Sequence, residues 1–429
     1  MALDTTRILS FTSVITKSHN HKCKEIYTMK KSKVLGSTLI VAGTTIGAGM
    51  LALPLASAGI GFTTSLVIMS LLWALMTYTA LLMLELHQYA PSNATLHTLA
   101  KQFLGQKGKW VASIAMLFLF YALCAAYIAG GGAQFSQRIL QTTGLELSGS
   151  LATIIFTLIV ALIVTVGTST VDHINRLLFA TKLITMVVVL FFLAPNITES
   201  YLLSMPLQQG LIVASIPVIF TSFGFHGSIP AIVNYLDGDT KSLRKAVIIG
   251  SSIPLVIYLF WQVVTLGVIS QQELSNSKGL GNLISSLADK VHFSQLNQII
   301  GLFADLALLT SFLGVSLGLF EFLGDTLNKN QRSNNRVLSA FVTFFPPMCF
   351  ALFYPQGFIM ALGYAAIALA ILAIFLPVAM IRKARRDDSS EVNYQVKGGK
   401  LTLTVVSFCG ILIVSAQFMI ALGYLPSLA

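Results

Sequence analysis

The feature that most constrains this chain is a series of long apolar segments separated by short polar loops. Eleven of them have about the 20 residues that a helix needs to cross the hydrocarbon core of a bilayer. Lipid offers no hydrogen-bond partners, so each segment must satisfy its own backbone as a helix. The sequence predicts an all-α membrane protein with 11 transmembrane helices. The predicted spans 1 to 11 cover residues 34–57, 62–86, 111–135, 149–167, 177–194, 210–235, 246–269, 297–323, 337–354, 357–381 and 401–424.

The charged residues support this span count and indicate an orientation. Only 10% of the residues are charged, whereas a soluble domain has about 25%. With the N-terminus placed in the cytoplasm, all but three of the 27 Lys and Arg lie on that side, the exceptions being Arg138, Lys278 and Lys290. This asymmetry follows the positive-inside rule and places the C-terminus on the opposite side. The net charge of +11 is therefore a topology signal and does not indicate nucleic-acid binding.

The chain is expected to form a single domain over residues 29–429. Residues 1–28 lack the features of a signal peptide and are expected to be a disordered extension or a misassigned start. The four cysteines form no CxxC motif and are expected to be buried, unreactive thiols: Cys23, Cys124, Cys349 and Cys409. No metal site, cofactor or catalytic motif is predicted.

Two spans contain residues that interrupt a helix. Span 1 has three glycines within Gly43–Gly49, and span 6 has Gly224, Gly227 and Pro230 within Thr221–Pro230. Each glycine costs a helix about 1 kcal/mol relative to alanine. If spans 1–5 and 6–10 are two copies in opposite orientation, the interruptions correspond, which points to a binding site of a secondary transporter. For span 1 a helix-packing motif of small residues is the alternative.

Interrupted helices expose backbone groups in the middle of the membrane. Freed N–H groups at a half-helix N-terminus can hold a carboxylate, and freed carbonyls can hold an ammonium or a metal cation. A zwitterionic amino acid carries both charges a few ångströms apart. Together, the two interruptions therefore suit an amino-acid head group.

Ionisable residues are rare within the spans because each costs about 2.5–3.5 kcal/mol at a helix centre. Lys182 in span 5 either reaches back to the interface or points inward and exchanges a proton. Asp305 in span 8 either lies in the outer vestibule or pairs within the bundle, and a coupling or pathway role is the alternative to a structural one. His226, in the span 6 interruption, is a gate, a selecting group or a structural imidazole. Glu85 and Glu321 lie near span ends and are expected to reach water.

Span 8 also carries two adjacent hydroxyls, Thr310 and Ser311, just after Ala307. They either coordinate Na⁺ together with freed carbonyls or bond back to their own helix. A cationic Lys182 nearby would replace a sodium ion, which favours proton coupling.

Several long stretches carry a resemblance to a known family: "VAGTTIGAGMLALPLASAGIGF", "LWALMTYTALLMLE", "PLQQGLIVASIPVIFTSFGFHGSIPAIVNYLDGD", "LFADLALLTSFLGVSLGLF" and "ALFYPQGFIMALGYA". From Met29 to the C-terminus the chain resembles the hydroxy/aromatic amino acid permease family, particularly its tyrosine-specific members. This family belongs to the amino acid/polyamine/organocation superfamily. The resemblance implies a LeuT-like five-plus-five inverted repeat, with repeats at about 34–194 and 210–381 and an extra C-terminal helix at about 401–424.

The resemblance also implies a function and a site. The function is import of an aromatic amino acid, tyrosine above all, by proton symport across the bacterial inner membrane, with a periplasmic C-terminus. A tryptophan or broad aromatic permease and a sodium-coupled symporter are the alternatives. The substrate carboxylate would be held by Thr45, Gly47, Ala48 and Gly49. The amine would be held by carbonyls around Thr221, Ser222 and Gly224, with Phe223, Phe225 and His226 near the ring or gate. Lys182 and Asp305 would couple protons, and Ala307, Thr310 and Ser311 resemble a sodium site.

Overall fold

The computed structural model describes residues 32–206, 210–277, 279–290, 294–327, 336–387 and 394–428. Helices and connecting turns account for all of these residues, and no strand occurs among them. Ten helices are long and apolar enough to cross a membrane, and a bent pair forms an eleventh candidate span. The bent pair is α1 (Ser32–Thr45) and α2 (Gly49–Ala56), with 50° between them. The 10 or 11 candidate spans agree with the predicted all-α membrane protein, and the chain is a multi-pass membrane protein.

The remaining helices follow in chain order: α3 (Phe62–His87), α4 (Leu96–Thr143), α5 (Gly149–Val166), α6 (Thr168–Leu193), α7 (Glu199–Leu203), α8 (Leu211–Ser222), α9 (Ile229–Tyr235), α10 (Thr240–Val268), α11 (Gln271–Asn276), α12 (Leu280–Asp289), α13 (Ser294–Leu327), α14 (Arg336–Phe353), α15 (Phe358–Ala370), α16 (Leu376–Asp387) and α17 (Gly399–Ala421). A short π-helical stretch, Ile371–Phe375, joins α15 and α16 into one span.

Two helices, α4 and α6, extend furthest beyond their predicted spans. α4 covers 48 residues because it continues on both sides of span 3, with a kink at Gly105 (φ 72°). α6 begins well before span 5, immediately after Gly167, which is the only residue between α5 and α6. Gly167 has a φ of 146°, a conformation that residues with a Cβ rarely adopt. A glycine here allows two membrane-crossing helices to be joined without a loop.

The connection between α10 and α13 contains two short helices, α11 and α12. α11 starts at a serine cap, where the Ser270 hydroxyl accepts a hydrogen bond from the Glu273 N–H. Such a cap satisfies one of the free N–H groups at a helix start. α12 packs on α4, α13 and α2, so the loop lies against the helix bundle.

The bent pair lies within the buried core. α2 packs against α8 and α10, and α13 packs against both α4 and α6. Large apolar side chains on the outer helices are instead exposed, among them Leu162, Phe191 and Leu401 at 70% or more. An apolar exterior of this kind suits lipid contact. The packing thus gathers α1, α2, α6, α8, α10 and α13 around one centre.

The cysteine prediction is only partly correct. Cys124 is buried, whereas Cys349 and Cys409 are partly exposed, and all three are free thiols. Cys23 and the predicted extension, residues 1–28, lie outside the described residues.

Candidate functional site

The interruption of span 1 lies between the end of α1 at Thr45 and the start of α2 at Gly49. The Ala48 N–H donates a 2.8 Å hydrogen bond to the Ser311 hydroxyl of α13. A Cβ on Gly47 would lie 2.7 Å from the same Ser311 oxygen, so only glycine permits this approach. The span is therefore bent at the predicted position, and its small residues also allow close packing against α13.

The α-helix of span 6 is interrupted between the end of α8 at Ser222 and the start of α9 at Ile229, where a short 3-10 helix, His226–Ser228, connects the two. The Ser222 hydroxyl donates a 3.0 Å hydrogen bond to the Gly49 carbonyl. A Cβ on Gly49 would lie only 3.1 Å from the Ser222 Cα, so glycine again allows close backbone approach. The two predicted breaks are therefore in direct contact.

Lys182 of α6 points into this centre. Its side chain is fully buried, and its Nζ donates to the Ile46 carbonyl at 2.9 Å and to the Thr310 hydroxyl at 3.2 Å. The Phe179 ring centroid lies 4.4 Å from the same nitrogen, within the range of a cation–π contact. The alternative in which Lys182 reaches back to the interface is wrong. The structure brings the lysine, the span 1 break and the span 8 hydroxyl together.

The span 8 hydroxyls serve both their own helix and their neighbours. Thr310 donates to the Leu306 carbonyl at 2.8 Å, and Ser311 donates to the Ala307 carbonyl at 2.9 Å. Each oxygen also accepts a bond from outside, Thr310 from Lys182 and Ser311 from Ala48. Both hydroxyls therefore bond back to their own helix, as one of the two interpretations expects, and also link α13 to its neighbours.

Tyr258 of α10 is the central residue that the sequence does not reveal. It is fully buried, and its hydroxyl oxygen lies 2.6 Å from the Thr45 carbonyl and 3.0 Å from the Ser222 carbonyl. The available signal is a tyrosine in an apolar span, whose hydroxyl must find a partner when buried.

The Thr45 hydroxyl bonds back to the Val41 carbonyl. Thr45 thus presents a carbonyl at a helix C-terminus, which suits an ammonium better than the carboxylate that the resemblance implies.

The other residues of the span 6 break form local hydrogen bonds or pack against neighbouring helices. The Gly224 N–H donates to the Thr221 carbonyl at 3.1 Å, and the Thr221 hydroxyl lies 3.0 Å from the Leu362 carbonyl. Phe223 and Phe225 are buried. Of the two implied amine partners in α8, the Ser222 carbonyl is thus the one that faces span 1.

His226 connects the span 6 break to α3. Its Nε2 lies 2.9 Å from the Thr79 hydroxyl, and the ring is buried. Its Nδ1 has no hydrogen-bond partner among the described residues. The contact with Thr79 supports a structural imidazole, while Nδ1 retains the capacity to bind a further group.

Asp305 forms an ion pair within the bundle. Its Oδ2 accepts from Arg138 Nε at 2.9 Å and from Nη2 at 2.8 Å, linking α13 to α4. The two side chains are 27% and 24% exposed. This supports the pairing interpretation of Asp305. Arg138, placed in a loop by the sequence, lies inside α4.

The expectation that Glu85 reaches water is wrong. Glu85 is fully buried, and its carboxylate accepts from Arg385 Nε at 2.7 Å and Nη2 at 2.6 Å and from the Val396 N–H at 2.8 Å. Glu321 is exposed, as predicted, and accepts from the Thr168 hydroxyl at 2.8 Å.

The fold and this centre define a class of protein. Two interrupted spans that meet inside a helical bundle are typical of secondary transporters. The sequence also matches the model of the tryptophan/tyrosine permease family over residues 30–417. The chain belongs to this family. The match confirms the resemblance and agrees with the expectation that the protein is not an enzyme.

Several relatives match the chain along almost its whole length, and three of them are named for different substrates. The tyrosine-specific transport system 1 of Haemophilus influenzae is 44% identical, with 92% of this chain and 99% of the relative covered. The tryptophan-specific transport protein of the same species is 33% identical, with 93% and 98% covered. Glutamine transporter 2 of Aliivibrio fischeri is 34% identical, with 90% and 99% covered.

Proposed function

We propose that this protein imports an aromatic amino acid, tyrosine above all, by proton symport across the bacterial inner membrane. The family is named for tryptophan and tyrosine. The tyrosine-specific relative is 44% identical, against 33% and 34% for the tryptophan and glutamine transporters. The charge asymmetry of the loops supports a cytoplasmic N-terminus and a periplasmic C-terminus.

We further propose the LeuT-like five-plus-five inverted repeat, with repeats at about 34–194 and 210–381 and an extra helix at about 401–424. The support is that the two interruptions fall in the first and sixth spans and touch through Ser222 and Gly49. Transport would proceed by rocking one group of helices against the other around this centre.

The substrate head group would bind between the two breaks. The N-terminus of α2 is positively polarised, so Gly47, Ala48 and Gly49 would hold the carboxylate, although Ser311 already bonds to the Ala48 N–H. The carbonyls of Thr45 and Ser222 are acceptors suited to the ammonium. Both carbonyl oxygens lie within hydrogen-bond distance of the same atom, the Tyr258 hydroxyl oxygen. This pair of neighbouring acceptors is the observation that supports a site for the ammonium of an amino acid.

Proton coupling rests on Lys182. Its amine occupies the position between the Ile46 carbonyl and the Thr310 hydroxyl where a cation would otherwise satisfy these oxygens. Loss of its proton would weaken the link between span 1 and α13, and so connect protonation to helix movement. Sodium coupling is less well supported, because the amine fills the place of the ion. We assign Asp305 a structural role, since its ion pair with Arg138 links α13 to α4.

The substrate assignment is tested by competition. Labelled L-tyrosine bound to the purified protein would be displaced by unlabelled tyrosine, tryptophan, phenylalanine or glutamine. We expect tyrosine to displace the label at the lowest concentration and glutamine to have no effect. An absence of tyrosine binding together with glutamine binding would contradict the proposal.

A further inference from the structure

Both interrupted spans end their first half at the same point in space. Thr45 is the last residue of α1, and Ser222 is the last residue of α8. Their carbonyl oxygens lie 2.6 Å and 3.0 Å from one atom, the hydroxyl oxygen of Tyr258. The side chain that joins the two half-helix ends therefore comes from a third helix, α10.

This arrangement has more acceptors than donors. The last carbonyls of a helix have no partner within the helix, and both helix dipoles bring negative potential to this point. A tyrosine hydroxyl has one proton to donate, whereas each carbonyl oxygen has two lone pairs. Tyr258 can donate to one carbonyl at a time, which leaves acceptor positions for a cationic donor with several protons.

Tyr258 is also held in place by packing. Its side chain is fully buried, and its ring meets the Phe223 ring edge to face, with centroids 5.3 Å apart. α10 packs directly against α2. This packing keeps the Tyr258 hydroxyl in one position between the two breaks.

We infer that Tyr258 is a positioning residue for the substrate ammonium, since its hydroxyl lies within hydrogen-bond distance of both the Thr45 and the Ser222 carbonyl and donates to one of them, while the amine binds the acceptor positions that remain. This inference rests on the proposed amino-acid site. It assigns to α10 a part in substrate recognition, in addition to the two interrupted spans. The hydroxyl acts through the carbonyls, so its effect depends on whether the ligand has an amine.

The test compares an amine-bearing ligand with its amine-free counterpart. L-Tyrosine and 3-(4-hydroxyphenyl)propanoate would be titrated against the purified wild type, Tyr258→Phe and Tyr121→Phe. Tyr121 is the matched control, because its hydroxyl also donates to a backbone carbonyl of another helix, that of Val342 at 2.8 Å. In a fourth protein, Tyr258→4-aminophenylalanine, an amino group with two protons replaces the hydroxyl.

For Tyr258→Phe we expect the dissociation constant of L-tyrosine to rise about fivefold, the factor of one net hydrogen bond. The constant of the amine-free ligand should stay at the wild-type value. Tyr121→Phe should bind both ligands as the wild type does, and 4-aminophenylalanine should restore tyrosine binding. Melting temperatures of all four proteins would show that each variant is folded.

Three results would overturn the inference. The first is an equal loss of affinity for both ligands in Tyr258→Phe, which would make the hydroxyl a general structural element. The second is unchanged affinity for L-tyrosine in that variant. The third applies if Tyr258→Phe is misfolded, and is a failure of the 4-aminophenylalanine variant to bind L-tyrosine. A wild type that binds no aromatic amino acid would instead refute the proposed function, so the two failures are distinguishable.

Discussion

Replacing Lys182 by methionine removes the amine and keeps a side chain of similar length in the same buried position. The two hydrogen bonds that join α6 to the Ile46 carbonyl and to Thr310 are lost. Leaving a buried carbonyl without a donor costs about 1–3 kcal/mol. We therefore expect Lys182→Met to fold with a lower melting temperature, and to lose the coupling of transport to protons.

The size of the transport effect follows from the driving force. One pH unit corresponds to about 1.4 kcal/mol per proton, which is about tenfold accumulation for one proton per substrate. A membrane potential adds about 2.3 kcal/mol per charge for each 100 mV. Without the amine, the internal and external tyrosine concentrations should become equal. Exchange of labelled for unlabelled tyrosine should continue, because the backbone groups of the head-group site are unchanged.

The assay uses proteoliposomes with an alkaline lumen and labelled L-tyrosine outside. The matched control is Lys101→Met, since Lys101 is an exposed lysine of α4 and its loss removes the same charge away from the centre. The control should accumulate tyrosine as the wild type does. If Lys182→Met also accumulated tyrosine to the wild-type level, Lys182 would have no part in coupling.

Three further substitutions test other parts of the structure. Gly47→Leu should abolish tyrosine binding in an equilibrium assay while the protein still inserts, because a Cβ at this position would already meet Ser311 at 2.7 Å; normal affinity would remove the carboxylate assignment. Glu85→Ala should destabilise the fold by about 3 kcal/mol, measured as a lower melting temperature, because one partner of a buried ion pair is removed. The double variant with Arg385→Ala should be less destabilised than the single variant. An unchanged melting temperature of the single variant would contradict a stabilising pair. Asp305→Asn should reduce the melting temperature yet retain the pH dependence of uptake; loss of that dependence would return Asp305 to the coupling pathway.

The fold was largely predictable from the sequence because its signals are local. A run of apolar residues indicates a span wherever its neighbours lie, and the glycines in residues 43–49 mark a break without knowledge of what faces it. The helix bounds were less predictable. α4 and α6 continue into polar sequence, where hydropathy no longer reports the helix.

The site was predictable only where a residue type is unusual for its position in the sequence. Lys182 stands out because a charge within a span is costly. Tyr258 does not, and its contact with Thr45 joins residues 213 positions apart. Glu85 and Arg385 are 300 positions apart, so neither residue alone indicates that the carboxylate is buried. Pairings over such distances depend on how the helices pack, which local patterns do not encode.

The most direct test of proton-coupled aromatic amino acid import is uptake of labelled L-tyrosine by wild-type proteoliposomes in sodium-free buffer. With an alkaline lumen, we expect accumulation that rises with the pH difference, about tenfold per unit for one proton, and that disappears when a protonophore is added. Uptake that requires Na⁺ and ignores the pH difference would contradict the proposal.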